Sequence, residues 1–392
     1  MKRMSSTQKI DTIKAITVAG FTISVFFHYI LSNYAGLGYY PYNTFLFTPS
    51  DRFRDFYNIF TATVGLNPYS SPVSVYFPFT FVVIYPFTFF IMKQLAFAVF
   101  LFIFMKYTIS YIYRNMPSSD KLNNGLNTFI FTFISYPFLF SLERGNVECL
   151  LFIFLSLFIY FYQKEEDLKS VIFLALAISM KLYPGVFCVL FLADKKYKNI
   201  FITAIMVSMI TLFSAAVLEG GVVNSFIGLK RNLELFNQAY ILSNHGLQHN
   251  SSLYGVVKIM QLEILPGLQP LIAYYSIIAL VVFGFVAIYI IYKEDVFWKR
   301  VALLTISTLL LPQVSFDYKL IHLFIPLMLF INYSKSSKFD IPYAVMFGLL
   351  LIPKDYYIIT QDVSIAVLLN PLIMMMTACT IIYDRHTVSI VK

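Results

Sequence analysis

Charge is what this sequence is poorest in. Only 12% of its 392 residues are Asp, Glu, Lys or Arg, about half the share of an ordinary soluble domain. Cysteine is scarce too: Cys149, Cys188 and Cys379 all lie in apolar runs, with no CxxC and no Cys/His spacing. That excludes a disulfide scaffold and a cysteine-built zinc site. There is no tandem repeat, no low-complexity tract and no polar stretch long enough for a soluble domain. The net charge of +9 is dispersed over short segments between apolar runs. A nucleic-acid surface needs its basic residues clustered, so nucleic acid is excluded as a partner.

What is abundant is apolar surface. Hydrophobic residues make up 59% of the chain, with 42 Phe, 29 Tyr and a mean hydropathy of +0.73. Apolar runs recur from residue 13 to residue 383 with short polar breaks, the pattern of a polytopic helical membrane protein. Spans are expected near 13–32, 94–113, 126–141, 148–162, 169–180, 184–193, 199–218, 271–292, 297–312, 319–332, 341–353 and 362–383. Several fall short of the ~20 residues a straight crossing needs, so broken helices are expected among them. The first run follows Lys2, Arg3, Lys9 and Lys14 and has no small-x-small cleavage site, which reads as a retained span. The run 74–92 contains Pro78 and Pro86 and reads as a half-inserted hairpin or surface helix. The expected fold is therefore all-α, one transmembrane domain over residues 1–392 with about 12 helices.

The basic residues orient this map. With both termini cytoplasmic, the inner segments hold roughly 18 Lys and Arg and the outer ones 10, the bias the positive-inside rule requires. The inner ones read as plain loop residues. The two longest outer segments are 33–93 and 219–270, and chemistry is expected on that elaborated face. Amphipathic helices are expected in the first of them.

Five polar groups fall there. In "SDRFRDFYN", Ser50 would cap a helix that sets Asp51 and Asp55 on one face, flanked by Arg52 and Arg54. The alternative is a solvated surface helix with local ion pairs. In "LERGNVE", Glu143, Arg144, Asn146 and Glu148 sit between two apolar runs, where ionisable groups are costly. The alternative there is a tight turn with an internal Glu–Arg pair. Lys181 in "SMKLYPG" interrupts an apolar stretch just before Pro184, and a snorkelling lysine is its plainer reading. The segment "SNHGLQHNSSLYG" holds His245, His249, Asn250, Ser251 and Ser252. Its histidines stand four apart, yet without an HExxH motif they read as polar loop residues rather than metal ligands. The fifth group, "PQVSFDYKLIH", carries Asp317, Lys319 and His322, with an Asp–Lys helix cap as the plainer reading.

In this order the groups resemble the GT-C superfamily of polyprenyl-phosphate-sugar-dependent glycosyltransferases, and family 87 with its bacterial mannosyltransferases in particular. The family's acid after the first span is matched by Asp51 or Asp55. Its G-x-x-P-Y element is similar to "GLNPY" (65–69), and its Tyr-Pro-Pro region to "YFPF" (76–79) and "YPF" (85–87). Its K-L-x-P resembles "KLYP" (181–184), its N-Q-S-L-x-G "NSSLYG" (250–255), and its S-W-x-H-H "SFDYK" (315–319). Two positions depart: Phe79 replaces the second proline, and Tyr318 and Lys319 replace the paired histidines.

The resemblance implies a GT-C-like bundle that moves one sugar, a hexose such as mannose or glucose, from a polyprenyl-phosphate donor to a glycan or glycolipid acceptor. It implies inversion with an Asp base, Asp51 by its distance from the G-x-x-P-Y element or Asp55 by the adjoining "DFYN". Lys181, Arg144, Lys319 and His249 would bind the donor phosphate. Arg52, Arg54, Tyr57, Tyr69, Tyr76, Glu143, Asn146, Asn250, Ser251 and Asp317 would touch substrate. Expected partners are the lipid-linked donor, the acceptor and membrane lipids, with no metal or other cofactor. No oligomeric state follows from the sequence. The other readings are a polysaccharide polymerase or ligase, and a lipid-linked sugar flippase or transporter. The expected location is the cell membrane, with the site on the external face.

Overall fold

The computed structural model describes residues 4–34, 36, 53–71, 74–117, 120–263, 269–335, 337–356 and 363–389. Among these the chain is helical, with a single isolated antiparallel bridge between Asn250 and Phe316. The α-helices are α1 (Ser6–Tyr34), α2 (Arg54–Thr63), α3 (Pro78–Ile84), α4 (Lys93–Arg114), α5 (Lys121–Phe133), α6 (Tyr136–Arg144), α7 (Glu148–Gln163), α8 (Asp167–Met180) and α9 (Cys188–Ala193). They continue as α10 (Tyr197–Val217), α11 (Gly221–Phe236), α12 (Leu253–Glu263), α13 (Gln269–Tyr292), α14 (Phe297–Leu310), α15 (Phe324–Asn332), α16 (Asp340–Leu351) and α17 (Ala366–Ser389).

Every expected apolar segment falls on helix, but length separates them. Among the described residues, five helices are long and apolar enough to cross a membrane: α1, α4, α10, α13 and α17. The pair α5 and α6, bent by 56° at Ile134 and Ser135, makes a sixth if it forms one span. The remaining apolar helices are shorter. Short 3-10 turns precede two of them, at Tyr183–Phe187 before α9 and at Asp317–Leu323 before α15. Residues 74–92 likewise divide, into α3 and a 3-10 turn at Tyr85–Phe89, each with proline in its first turn.

The chain forms two compact units. One takes α1 together with residues 108–143 and 246–392; the other takes residues 53–107 and 144–245. In the first unit α1 runs tightly against α16, because Gly20 and Gly348 offer no Cβ where Ile352 and Ile16 sit. The same contact carries a buried pair, Lys9 Nζ to Asp340 Oδ2 at 3.8 Å. Lys299 pairs likewise with Asp384 at 2.7 Å. These two lysines are thus not the plain loop residues expected of the inner segments. Each lies in a helix and is held by a carboxylate that its position in an apolar context requires. In the second unit α11 buries Ser225, Gly228, Leu229 and Asn232 along one stripe. Asn232 Nδ2 donates to the carbonyls of Ser71 (2.7 Å) and Ser74 (3.0 Å), and Arg231 donates to that of Tyr69. The chain after α2 is thereby pinned.

Candidate active site

The second unit holds together Asp55, the turn from Arg144 to Glu148, and Lys181. The helix expected from Ser50 instead begins at Arg54, because Phe53 adopts the left-handed conformation, φ 59°. Ser50, Asp51 and Arg52 lie outside the described residues. The one-face relation expected of Asp51 and Asp55 therefore does not follow from α2. The helix buries Phe56, Ile59 and Thr63, and Phe56 packs among Phe97, Phe100 and Phe87. That seating leaves Asp55 half-buried and Arg54 exposed.

Asp55 meets the turn "ERGNVE". Arg144 Nη2 donates to Asp55 Oδ1 at 2.5 Å, and Asn146 Nδ2 donates to Oδ2 at 2.8 Å. Gly145 makes this possible. It ends α6 in the left-handed region, φ 59°, and a Cβ there would stand 2.8 Å from the Phe97 ring and 3.0 Å from Phe56 Cβ. Asn146 then serves both directions. Its Oδ1 accepts the Glu148 N–H (3.1 Å), covering an otherwise unmet donor at the start of α7, while its Nδ2 holds Asp55 and reaches the Tyr76 hydroxyl at 3.3 Å.

The network continues through Tyr76, whose ring lies under the Lys181 ammonium with 5.1 Å from nitrogen to centroid. Lys181 sits where α8 stops in extended backbone, just ahead of Pro184. It pairs with Glu148 Oε1 at 2.7 Å, and the Tyr183 hydroxyl donates to Oε2 at 2.5 Å. Glu148 is fully buried while Lys181 and Asp55 keep 17% and 15% of their side-chain surface, so the cluster opens on the Asp55 and Lys181 side. Burial first, then the Asp55 charge, pushes the Tyr76 phenol above its ordinary range, so it stays protonated. Tyr69 is buried, its hydroxyl spent on the Tyr76 carbonyl at 2.9 Å, which gives it a supporting role. Tyr57 lies under the Lys93 ammonium at 5.2 Å.

The first unit gathers the fourth group from Gly246 onward and the fifth. Asn250 staples them: its Oδ1 accepts from Ser315 N (2.9 Å) and Ser252 N (3.1 Å), and its Nδ2 donates to the Gln313 carbonyl (3.1 Å). Asp317 and Asp355 then converge, both buried. The Tyr136 hydroxyl contacts Asp317 Oδ2 at 2.9 Å and also Asp355 Oδ2. Ser251 donates to Asp317 Oδ1, Ser364 donates to Asp355 Oδ1 at 2.9 Å, and His249 Nδ1 stands 3.4 Å from Asp355 Oδ2. Burial, and then the charge of Asp355, push Asp317 up to about 7. Burial acts on Asp355 as well, but the His249 charge and the hydrogen bonds from His249, Tyr136 and Ser364 outweigh it and hold Asp355 below its usual range. A phenol has one proton and cannot donate to two carboxylates at once. The geometry therefore suits one protonated and one ionised carboxyl, with the proton on Asp317. Burial brings the neighbouring Lys354 down to about 8, and its ammonium donates to the carbonyls of Leu349 (2.6 Å) and Ile352 (2.8 Å). Lys319 and Glu143 are buried in this unit.

Sequence reasoning missed Asp355, Tyr136 and Tyr183 as members of these clusters. Lys354–Asp355 did offer a signal, two charges directly after an apolar run ending in Pro353. The two tyrosines offered none in a chain with 29 of them.

The model of glycosyltransferase family 87 matches residues 75–312, more than half of the chain. The chain belongs to glycosyltransferase family 87. It is thus a glycosyltransferase carrying several membrane-length apolar helices. The match takes in Arg144, Asn146, Glu148, Lys181 and His249, and it begins after Asp55 and ends before Asp317. No curated protein and no solved structure matches the chain.

Proposed function

We propose that this family member transfers a single hexose, such as mannose or glucose, from a polyprenyl-phosphate donor to a glycan or glycolipid acceptor, with inversion at the anomeric carbon. The observation that carries the reading is the half-open carboxylate of Asp55, gripped by Arg144 and Asn146 and linked through Tyr76 to Lys181. A base in direct displacement must be ionised and aimed. Arg144 and Asn146 each take one acceptor site of the carboxylate, and every carboxylate oxygen has two, so each oxygen keeps one for the acceptor hydroxyl. As the glycosidic bond breaks, charge grows on the lipid phosphate. Arg144 and Lys181 are the cations we assign to it, so the step needs no metal at this cluster. Asp51 remains the rival base. Lys319 and His249 lie in the other unit, and their part in phosphate binding rests on resemblance alone.

In this reading the enzyme sits in the cell membrane with both termini cytoplasmic and the Asp55 cluster on the external face, beside the donor headgroup and membrane lipids. The test is transfer by purified enzyme from polyprenyl-monophosphate mannose, glucose or arabinose, with a polyprenyl-pyrophosphate sugar as comparator. Activity is expected with a monophosphate hexose and to fall at least 100-fold in Asp55→Asn, the lower end of general-base contributions. Full activity in Asp55→Asn, Asp51→Asn and the double variant would remove the carboxylate from the mechanism. Turnover of the pyrophosphate donor alone would favour a polymerase.

A further inference from the structure

We propose that His249, Asp317 and Asp355 form a binding site for one divalent transition-metal ion, of the Mn2+ or Zn2+ type. The sequence reading expected no metal here, because it looked for a partner of His249 at His245. That residue is exposed and takes no part; the ligands come from two segments much further along the chain.

The two carboxylates are arranged as ligands rather than as a hydrogen-bonded pair alone. Each has its outer oxygen fixed by a serine, Ser251 on Asp317 Oδ1 and Ser364 on Asp355 Oδ1. The Ser251 hydroxyl is itself held by Asn370 Nδ2 at 3.1 Å. Metal-bound carboxylates are oriented by such partners on the side away from the ion. The inner oxygens, both Oδ2, meet at the Tyr136 hydroxyl, and that of Asp355 stands 3.4 Å from the imidazole. One ligand atom from each of the three residues lies within 4.8 Å of the others. The His249–Asp355 separation, 3.4 Å, already equals the edge of a tetrahedron with bonds of about 2.1 Å. The widest separation, at most 4.8 Å, must close by up to about 1.4 Å, a side-chain adjustment. The Tyr136 oxygen touches both inner oxygens and is within reach as a fourth donor.

A second observation is independent of the carboxylates. His249 holds φ 52°, which a non-glycine residue rarely adopts. Its carbonyl accepts the Asp317 N–H at 2.9 Å, and the bridge from Asn250 to Phe316 follows directly. The strained backbone thus couples the imidazole to the segment bearing Asp317, as strain at ligand clamps does. One nitrogen and two or three oxygens suit Mn2+ or Zn2+. Ca2+ and Mg2+ favour all-oxygen shells with more ligands. The inference does not rest on the proposed reaction, whose cations are Arg144 and Lys181.

The test is metal binding by purified full-length protein, without donor or acceptor. After chelator treatment and dialysis, Mn2+ is titrated and followed by electron paramagnetic resonance, and Zn2+ by calorimetry. Wild type should bind one ion per chain, with Mg2+ and Ca2+ at least 10-fold weaker. Asp355→Asn and His249→Ala should abolish saturable binding. Ser364→Ala, which leaves every ligand in place, should weaken it 10- to 100-fold and keeps the test open if the ligand variants do not fold. No saturable binding of either ion by wild type would overturn the proposal, leaving a proton-bridged carboxyl pair. So would unchanged binding in a folded Asp355→Asn.

Discussion

In one unit the carboxylates of Asp55 and Glu148 each face a cation, Arg144 and Lys181. In the other, Asp317 and Asp355 face a phenol, two serines and an imidazole. Both arrangements keep acids away from bulk water, but they leave different capacities behind. Two ion pairs joined through Asn146 and Tyr76 remain charged and partly open, which suits a group that must take a proton or steady a phosphate. Two carboxyls in contact through one phenol cannot both be ionised cheaply. They need either a shared proton or an added cation.

The largest effect that would separate the two is catalytic. Asp55→Asn preserves shape but leaves Arg144 facing a neutral amide, so transfer should fall by about 10²- to 10⁴-fold, with a smaller stability loss of about 1 kcal/mol because the pair is partly open to solvent. Glu148→Gln should act the other way round. Glu148 is fully buried under Lys181 and Tyr183, and removing one member of a buried pair costs roughly 3–5 kcal/mol, to be discounted here because Lys181 keeps some solvent. A loss of about 2–3 kcal/mol in urea unfolding is expected, with transfer reduced because Lys181 is released. If Glu148→Gln were as stable as wild type, the buried pair would not be what fixes Lys181.

Gly145→Ala joins the backbone to the site. The new Cβ would meet Phe97 at 2.8 Å in a conformation with φ 59°, so a loss of roughly 1–3 kcal/mol is expected from crowding and strain together. Arg144 and Asn146 flank this residue, so the variant should also raise the amount of donor needed for half-maximal rate. An unchanged donor requirement would separate the turn from the site.

How far these clusters were legible in the sequence follows from the same physics. "LERGNVE" stood out because ionisable residues between apolar runs are expensive, and that cost is met by the contacts of Arg144, Asn146 and Glu148. Lys181 before Pro184 stood out likewise, and α8 does stop there. The start of α2 was misread because a Ser-capped pattern gives no hint of the left-handed Phe53. The number of crossings was not legible either. Hydropathy marks apolar segments, and here several are short helices preceded by 3-10 turns, such as Tyr183–Phe187 before α9. The meeting of Asp317 and Asp355 was not legible, because it depends on contacts between segments distant in the chain, as between Tyr136 and Asp355.

The smallest expected effect concerns the second cluster in chelator-treated protein. Asp317 is raised from the ordinary carboxylate range to about 7, so between about pH 4 and 7 the folded protein binds a proton that the unfolded chain has released. Stability from this group is therefore full below about pH 4 and is lost as pH rises toward 7, at no more than about 1.4 kcal/mol per unit. Asp355, held low, contributes in the opposite sense, and its share is lost only in more acid solution. Lys354, lowered to about 8, adds a rise in stability only between about pH 8 and 10.5, outside this window. His249 is the remaining ionisable group in contact, and it is the same in wild type and variant. The decisive comparison is thus the difference between wild type and Asp317→Asn in thermal midpoint from pH 4.5 to 7. Asparagine carries no proton to lose, so the wild type should fall relative to the variant across that window. A constant difference would mean that Asp317 is ionised throughout, and that the phenol of Tyr136 is not accepting its proton.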